Sequence, residues 1–164
     1  MNTAQTIIAT GFDISALTAA PADPATFNVD LIFNADGDAV SGLICVGKNS
    51  HQYQEITKTI RAENLKRGAR TGTAIDTKTD EGAALAVDLS NENAKRIALA
   101  VTVGWFGFTS AGAPAPFDKN LIKAGFDSRP TWVDAVTAGL EKDANFSKLL
   151  PKASSTSPAT SSNG

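Results

Sequence analysis

The side chains that could do chemistry in this chain are few and scattered. A single histidine, His51, stands beside Ser50, and together they are the residue types of a nucleophile and its base. Both fall at the start of an expected helix, where adjacent residues do not face each other, so an exposed first-turn histidine is the better reading. The sequence contains no Gly-x-Ser-x-Gly elbow, no paired-histidine zinc motif and no phosphate-binding loop. One Cys and one His cannot close a four-ligand zinc site without help from carboxylates. Asn34-x-Asp36-x-Asp38 opens like a calcium loop, but its glycine comes early, at Gly37, and position 45 is Cys rather than the closing Glu. A hairpin turn accounts for the same residues. Glu55, Glu63, Asp76 and Asp80 are the remaining acid–base candidates, and nothing in their spacing marks a pair. The expectation is a protein that is not an enzyme, with no cofactor and no metal.

Bulk properties narrow the classes further. The 164 residues suit one domain with a real core, and 42% hydrophobic with 20% charged residues is ordinary globular composition. A net charge of −2 and a pI of about 5.3 argue against nucleic-acid binding. The basic cluster Lys58, Arg61, Lys66, Arg67 and Arg70 is the one anion-binding candidate, and a solvated helix face explains it as well. No aromatic residues interleave with it, which weakens a single-strand reading. Cys45 cannot form an internal disulfide and falls in an apolar strand, where an inert buried thiol is ordinary. Asn145-Phe146-Ser147 is a glycosylation sequon that matters only in a secreted chain. The start, Met1-Asn2-Thr3-Ala4-Gln5, lacks a basic leader, and the most apolar stretch, Ile97 to Phe108, is broken by Thr102, Gly104 and Gly107. A cytoplasm is the expected location, with no membrane partner.

These patterns predict an α+β fold: an N-terminal antiparallel β-hairpin or small sheet packed against about four α-helices. Residues 1–26 are weakly patterned, with one short helix expected over Phe12 to Ala20 before Pro21 and Pro24. Phe27, Val29, Leu31 and Phe33 alternate with Asn28, Asp30, Ile32 and Asn34, the period of a strand with one buried face. Asp36-Gly37 suits a tight turn, so Phe27–Asn34 and Ala39–Val46 form the hairpin. Asn49 and Gln52 have capping spacing, and Tyr53, Ile56 and Ile60 carry an amphipathic helix from about Ser50 to Arg67. Gly68 to Gly82 reads as a loop. Ser90 or Asn91 caps a second helix with the stripe Ala94, Ile97, Ala98, Val101 and Trp105, though Val101-Thr102-Val103 keeps a strand open there. Asp118 caps a short helix with Leu121, Ile122 and Phe126. Pro130 opens a last helix whose buried stripe is Val133, Val136, Thr137 and Leu140, with Phe146 and Leu149 beyond. The single domain spans 27–150, and the Ser/Thr-rich stretch 151–164 is too polar to offset its ordering entropy, so it is expected to be disordered.

What stands out is the block Gly104-Trp105-Phe106-Gly107-Phe108, followed by a Pro/Gly turn and a helix containing Trp132. Large aromatics anchor cores or form interface hot spots. Core is the commoner role for Trp105, and Trp132, one position ahead of its helix's stripe, suits either. The candidate partner-binding set is Trp105, Phe106, Phe108, Phe117 and Trp132.

Trp105 to Phe108, Gly112-Ala113-Pro114-Ala115-Pro116-Phe117, Asp118-Lys119-Asn120, Pro130 with Trp132 and Val136, and Ala144-Asn145-Phe146 together resemble the tail assembly chaperones of long-tailed bacteriophages. The hairpin followed by Val46-Gly47-Lys48-Asn49-Ser50 is similar to the front of such proteins, and the resemblance spans roughly Phe27 to Leu149. It implies a protein of the host cell cytoplasm that coats the phage tape-measure protein, helps recruit tail-tube subunits and is not expected in the mature virion. Members of that family occur in a short form and a longer, frameshifted one. Self-association is compatible with this role. A structural virion protein, such as a minor tail or head–tail connector component, is the alternative; a small carboxylate enzyme ranks last.

Overall fold

The computed structural model describes residues 25–71 and 75–142. The expected Phe12–Ala20 helix, the Phe146 and Leu149 contacts and the 151–164 tail lie outside the described residues.

The architecture is α+β. Strands β1 (Thr26–Phe33) and β2 (Ala39–Val46) form the hairpin, followed by helices α1 (His51–Thr71) and α2 (Asp80–Val101). Strand β3 (Thr102–Phe106) returns to the sheet, β4 (Thr109–Ser110) and β5 (Ala113–Pro114) make a small second hairpin, and α3 (Lys119–Ser128) and α4 (Pro130–Glu141) complete the order. The main sheet is antiparallel in the order β1-β2-β3.

The β1–β2 turn rests on Asn34. Its Oδ1 accepts hydrogen bonds from the backbone N–H groups of Asp36 (3.0 Å) and Asp38 (2.8 Å), an Asx turn that fixes the course of the chain through the acidic residues. Gly37 follows at φ +88°, a conformation natural to glycine. The alternation of β1 holds at Phe27 and Val29, which are buried opposite Cys45 and Leu43. Register shifts around Ile32 then break it, and Phe33, expected on the buried face, is exposed.

Ser50, not Asn49, caps α1: its Oγ accepts from the Tyr53 N–H at 3.2 Å. The helix runs to Thr71, past the expected end at Arg67. Of the expected loop, residues 68–71 close α1 and 80–82 open α2, while 75–79 are turn and irregular chain. Helix α2 begins ten residues before the expected Ser90 cap, because Thr79 Oγ1 already accepts from Gly82 N–H at 3.1 Å, while Asp80 and Glu81 suit the positive end of the helix dipole. Ser90 and Asn91 lie inside the helix as exposed polar residues.

The helical stripe ends at Val101. Thr102 turns extended, its hydroxyl donating back to Ala98 O at 2.7 Å, so Trp105 lies on β3 and not on α2. The β-branched run wins here because β2 offers a partner for its backbone. In α4, Val133, Val136 and Leu140 are buried as expected, but Thr137 is exposed and Gly139 takes the inner position. A Cβ there would come within 2.6 Å of the Phe27 ring, so the glycine lets α4 approach β1.

One core joins these elements. Phe27, Val29, Leu43, Cys45 and Val46 of the hairpin meet Ala98 and Val101 of α2, Ile122 and Phe126 of α3, and Val133, Val136 and Leu140 of α4. Each large side chain contributes about 1.5–3 kcal/mol on burial. No buried side-chain nitrogen or oxygen among the described residues lacks a hydrogen-bond partner.

Candidate partner-binding surfaces

Four of the five aromatic candidates form one cluster against that core. Trp105 stacks at a tilt on Phe108 (5.1 Å between centroids) and meets Phe117 edge-on at 5.5 Å. Phe108 in turn meets Trp132 edge-on at 6.2 Å, and the Arg129 guanidinium lies 5.0 Å from the Trp132 ring. Trp105 Nε1 donates to Ala115 O at 2.9 Å, which ties the β4–β5 hairpin to β3. Trp132 also lies over Gly125 of α3, where a Cβ would meet its ring at 2.9 Å. All four are half-buried and packed on the core, so their contacts hold elements together.

Phe106 is separate. In β3 it lies opposite Gly42, and its ring covers that glycine on the face of the sheet away from the core. Ile44, two residues on in β2, covers Gly104 on the same face. Val40 shares that alternation and is 44% exposed. The described helices build their shared core on the opposite face. The outer face thus carries an apolar strip of Phe106, Ile44 and Val40 on β3 and β2, bordered on β1 by the exposed Asn28 and Asp30, which pair with Ile44 and Gly42.

A second apolar surface lies around Leu85 and Leu89, between the expected loop Gly68–Gly82 and the expected cap at Ser90 or Asn91. The outer half of α1 and the first half of α2 form an antiparallel arm, and a groove of about 990 Å³ runs between them. Its lining includes Asn64 and Arg67 from α1 and Glu81, Leu85, Ala86 and Leu89 from α2. Leu85 is 48% exposed. The clue in the sequence was the spacing of Leu85 and Leu89, one helical turn apart, hidden by the flanking glycines and threonines.

The arm is braced at its base. Arg96 makes a bidentate pair with Glu63, which holds the Glu63 carboxyl below its ordinary range. Lys95 bonds Asp127 of α3 at 2.7 Å, and with Lys123 it lowers the Asp127 carboxyl in the same way. Of the basic cluster, Lys66, Arg67 and Arg70 gather with Glu63 around a shallow hollow of about 410 Å³.

The remaining chemical candidates do not converge. His51 is exposed in the first turn of α1. Glu55 and Glu63 lie along α1, whereas Asp80 opens α2 and Asp76 lies in the turn before it, where its Oδ1 accepts from Lys78 N–H. Among the described residues, no three His, Cys, Asp or Glu side chains are placed to hold a metal ion. Cys45 is fully buried, its Sγ 3.7 Å from Thr102 Oγ1, and burial pushes its thiol up to about 11. No described helix is long and apolar enough to cross a membrane.

A scan against protein-family models gave no match, and searches of curated proteins and of solved structures gave none either.

Proposed function

We propose that the chain is a tail assembly chaperone of a long-tailed bacteriophage. In this reading it binds the tape-measure protein in the host cytoplasm, keeps that long helical chain soluble and helps recruit tail-tube subunits. The observation that carries the reading is the apolar strip of Phe106, Ile44 and Val40 on the outer face of the sheet. A pleated apolar face flanked by edge strands suits reversible cover of an amphipathic helix, and such cover needs no reactive group. The resemblance across Phe27 to Leu149 supports the same role.

The test is co-expression of the full chain with the tape-measure protein of the same phage genome. The tape-measure chain is expected to stay soluble and co-purify, and Phe106→Asp to abolish both. Stoichiometric recovery of the chain from purified particles by mass spectrometry would overturn the reading in favour of a structural virion protein.

A further inference from the structure

The arm formed by α1 and α2 carries opposite charge on its two helices. Lys66 and Arg70 of α1 are one turn apart and project on the side where Glu63 reaches Arg96. On α2, Glu81, Leu85, Asp88 and Glu92 follow one another at intervals of four, three and four residues, and Arg96 continues that face. The Glu63–Arg96 pair therefore places both rows on one side of the arm, basic along α1 and acidic along α2. The apolar groove with Leu85 and Leu89, lined also by Arg67 and Glu81, runs along the seam of the two helices.

We infer that this side of the arm is a homodimer interface, which a second copy of the chain covers to form a four-helix bundle. A face that is basic on the left and acidic on the right is complementary to itself under only one arrangement: a two-fold axis running along the arm. That operation sets α1 of each copy against α2 of the other. It also preserves height along the arm: with Glu63 level with Arg96 and a rise of about 1.5 Å per residue, Lys66 meets Glu92 of the second copy and Arg70 meets Asp88. An axis across the arm would instead put α1 on α1 and oppose like charges. The apolar floor supplies the attraction and the charged rows fix the register. About eleven residues per helix give a contact of about 16 Å in length. Such a contact reaches roughly the 1,000 Å² lower limit of specific interfaces, so the dimer is weak, with a Kd on the order of micromolar. This inference does not rest on the chaperone reading.

Analytical ultracentrifugation of the full chain tests it, with circular dichroism as the folding control. The chain is expected to dimerise with increasing concentration, and the dimer to weaken as salt rises. Two charge-reversed variants carry the decisive comparison: Lys66→Glu with Arg70→Glu, and Asp88→Lys with Glu92→Lys. Each alone makes both halves of its own interface repulsive and is expected to raise Kd at least tenfold. Mixed together they restore opposite charge at both halves, so a heterodimer near the original affinity is expected. Leu85→Glu, at an exposed position, is expected to abolish dimerisation while the chain stays folded. A full chain that remains monomeric at millimolar concentration overturns the inference. So does a dimer indifferent to these substitutions, or a mixture that stays monomeric because another segment or partner occupies the groove.

Discussion

Arg96 of α2 clasps Glu63 of α1 through two hydrogen bonds, 2.6 Å from Nη1 to Oε2 and 3.0 Å from Nη2 to Oε1. Beyond this bridge, all of α1 from Arg61 to Arg70 is exposed, so the pair marks where the arm leaves the domain. Arg96→Leu is expected to loosen the arm without unfolding the domain. Hydrogen exchange is expected to speed up at amides 61–70 and to stay slow in β2. The pH dependence has a definite sign. The Glu63 carboxyl is held below its ordinary value of 4.5, chiefly by the Arg96 hydrogen bonds. Its contribution is therefore complete above that pH and is lost as pH falls through the lowered value. Acid should accelerate exchange in the arm of the parent chain and change little in the variant.

Two glycines should respond in opposite directions to alanine. A Cβ at Gly42 would run into the Val29 carbonyl and the Phe106 ring, the latter at 2.6 Å, and the backbone oxygen cannot give way cheaply. Gly42→Ala is expected to destabilise the chain by about 2–3 kcal/mol in urea denaturation. At Gly68, inside α1, nothing lies within 4 Å of an added Cβ. Gly68→Ala is expected to stabilise by up to about 1 kcal/mol from helix propensity.

Cys45 should report on alkaline unfolding. Burial, only partly offset by the Thr102 hydrogen bond, raises its folded value from 9.0 to about 11. A raised value on this acid favours the neutral thiol in the fold. The resulting stability is present below 9.0 and lost as pH rises to about 11. Two units correspond to roughly 2–3 kcal/mol. Cys45→Ala is expected to be less stable at neutral pH from its cavity, yet to lose less stability across that window. Native Cys45 should also react with a thiol reagent only as fast as the chain unfolds.

Local signals with tertiary support were readable before any coordinates. The Phe27–Val46 hairpin, the Asp118 cap and the Pro130 start all combine a turn or cap residue with a matching apolar period, and each stands where expected. The misses share a physical cause. Thr79 is a cap hidden among other threonines, so α2 began unannounced and its Leu85–Leu89 pair went unused. Trp105 fits a helical stripe through Ala98 and Val101 as well as a strand, and only the backbone pairing of Leu43 with Trp105 decides between them. The candidate site was half legible for a related reason. Aromatic type marks a residue as important, but the face on which it lies depends on the β2–β3 register.

That register separates two aromatics that composition treats alike. Trp132 is wedged between Phe108, Gly125 and Arg129, so Trp132→Ala should behave as a core deletion. A loss of about 2–4 kcal/mol is expected, with the β4–β5 hairpin freed and any failure of partner capture tracking the unfolded fraction. Phe106 lies on the opposite face, over Gly42. Its truncation removes a cross-strand contact worth roughly 1 kcal/mol. Phe106→Ala is therefore expected to remain folded while it weakens capture of the tape-measure protein at least tenfold, measured by competition against the parent chain. Because binding energy concentrates in a few central aromatics of an apolar patch, equal capture by the parent and Phe106→Ala would move the partner site off the outer face of the sheet.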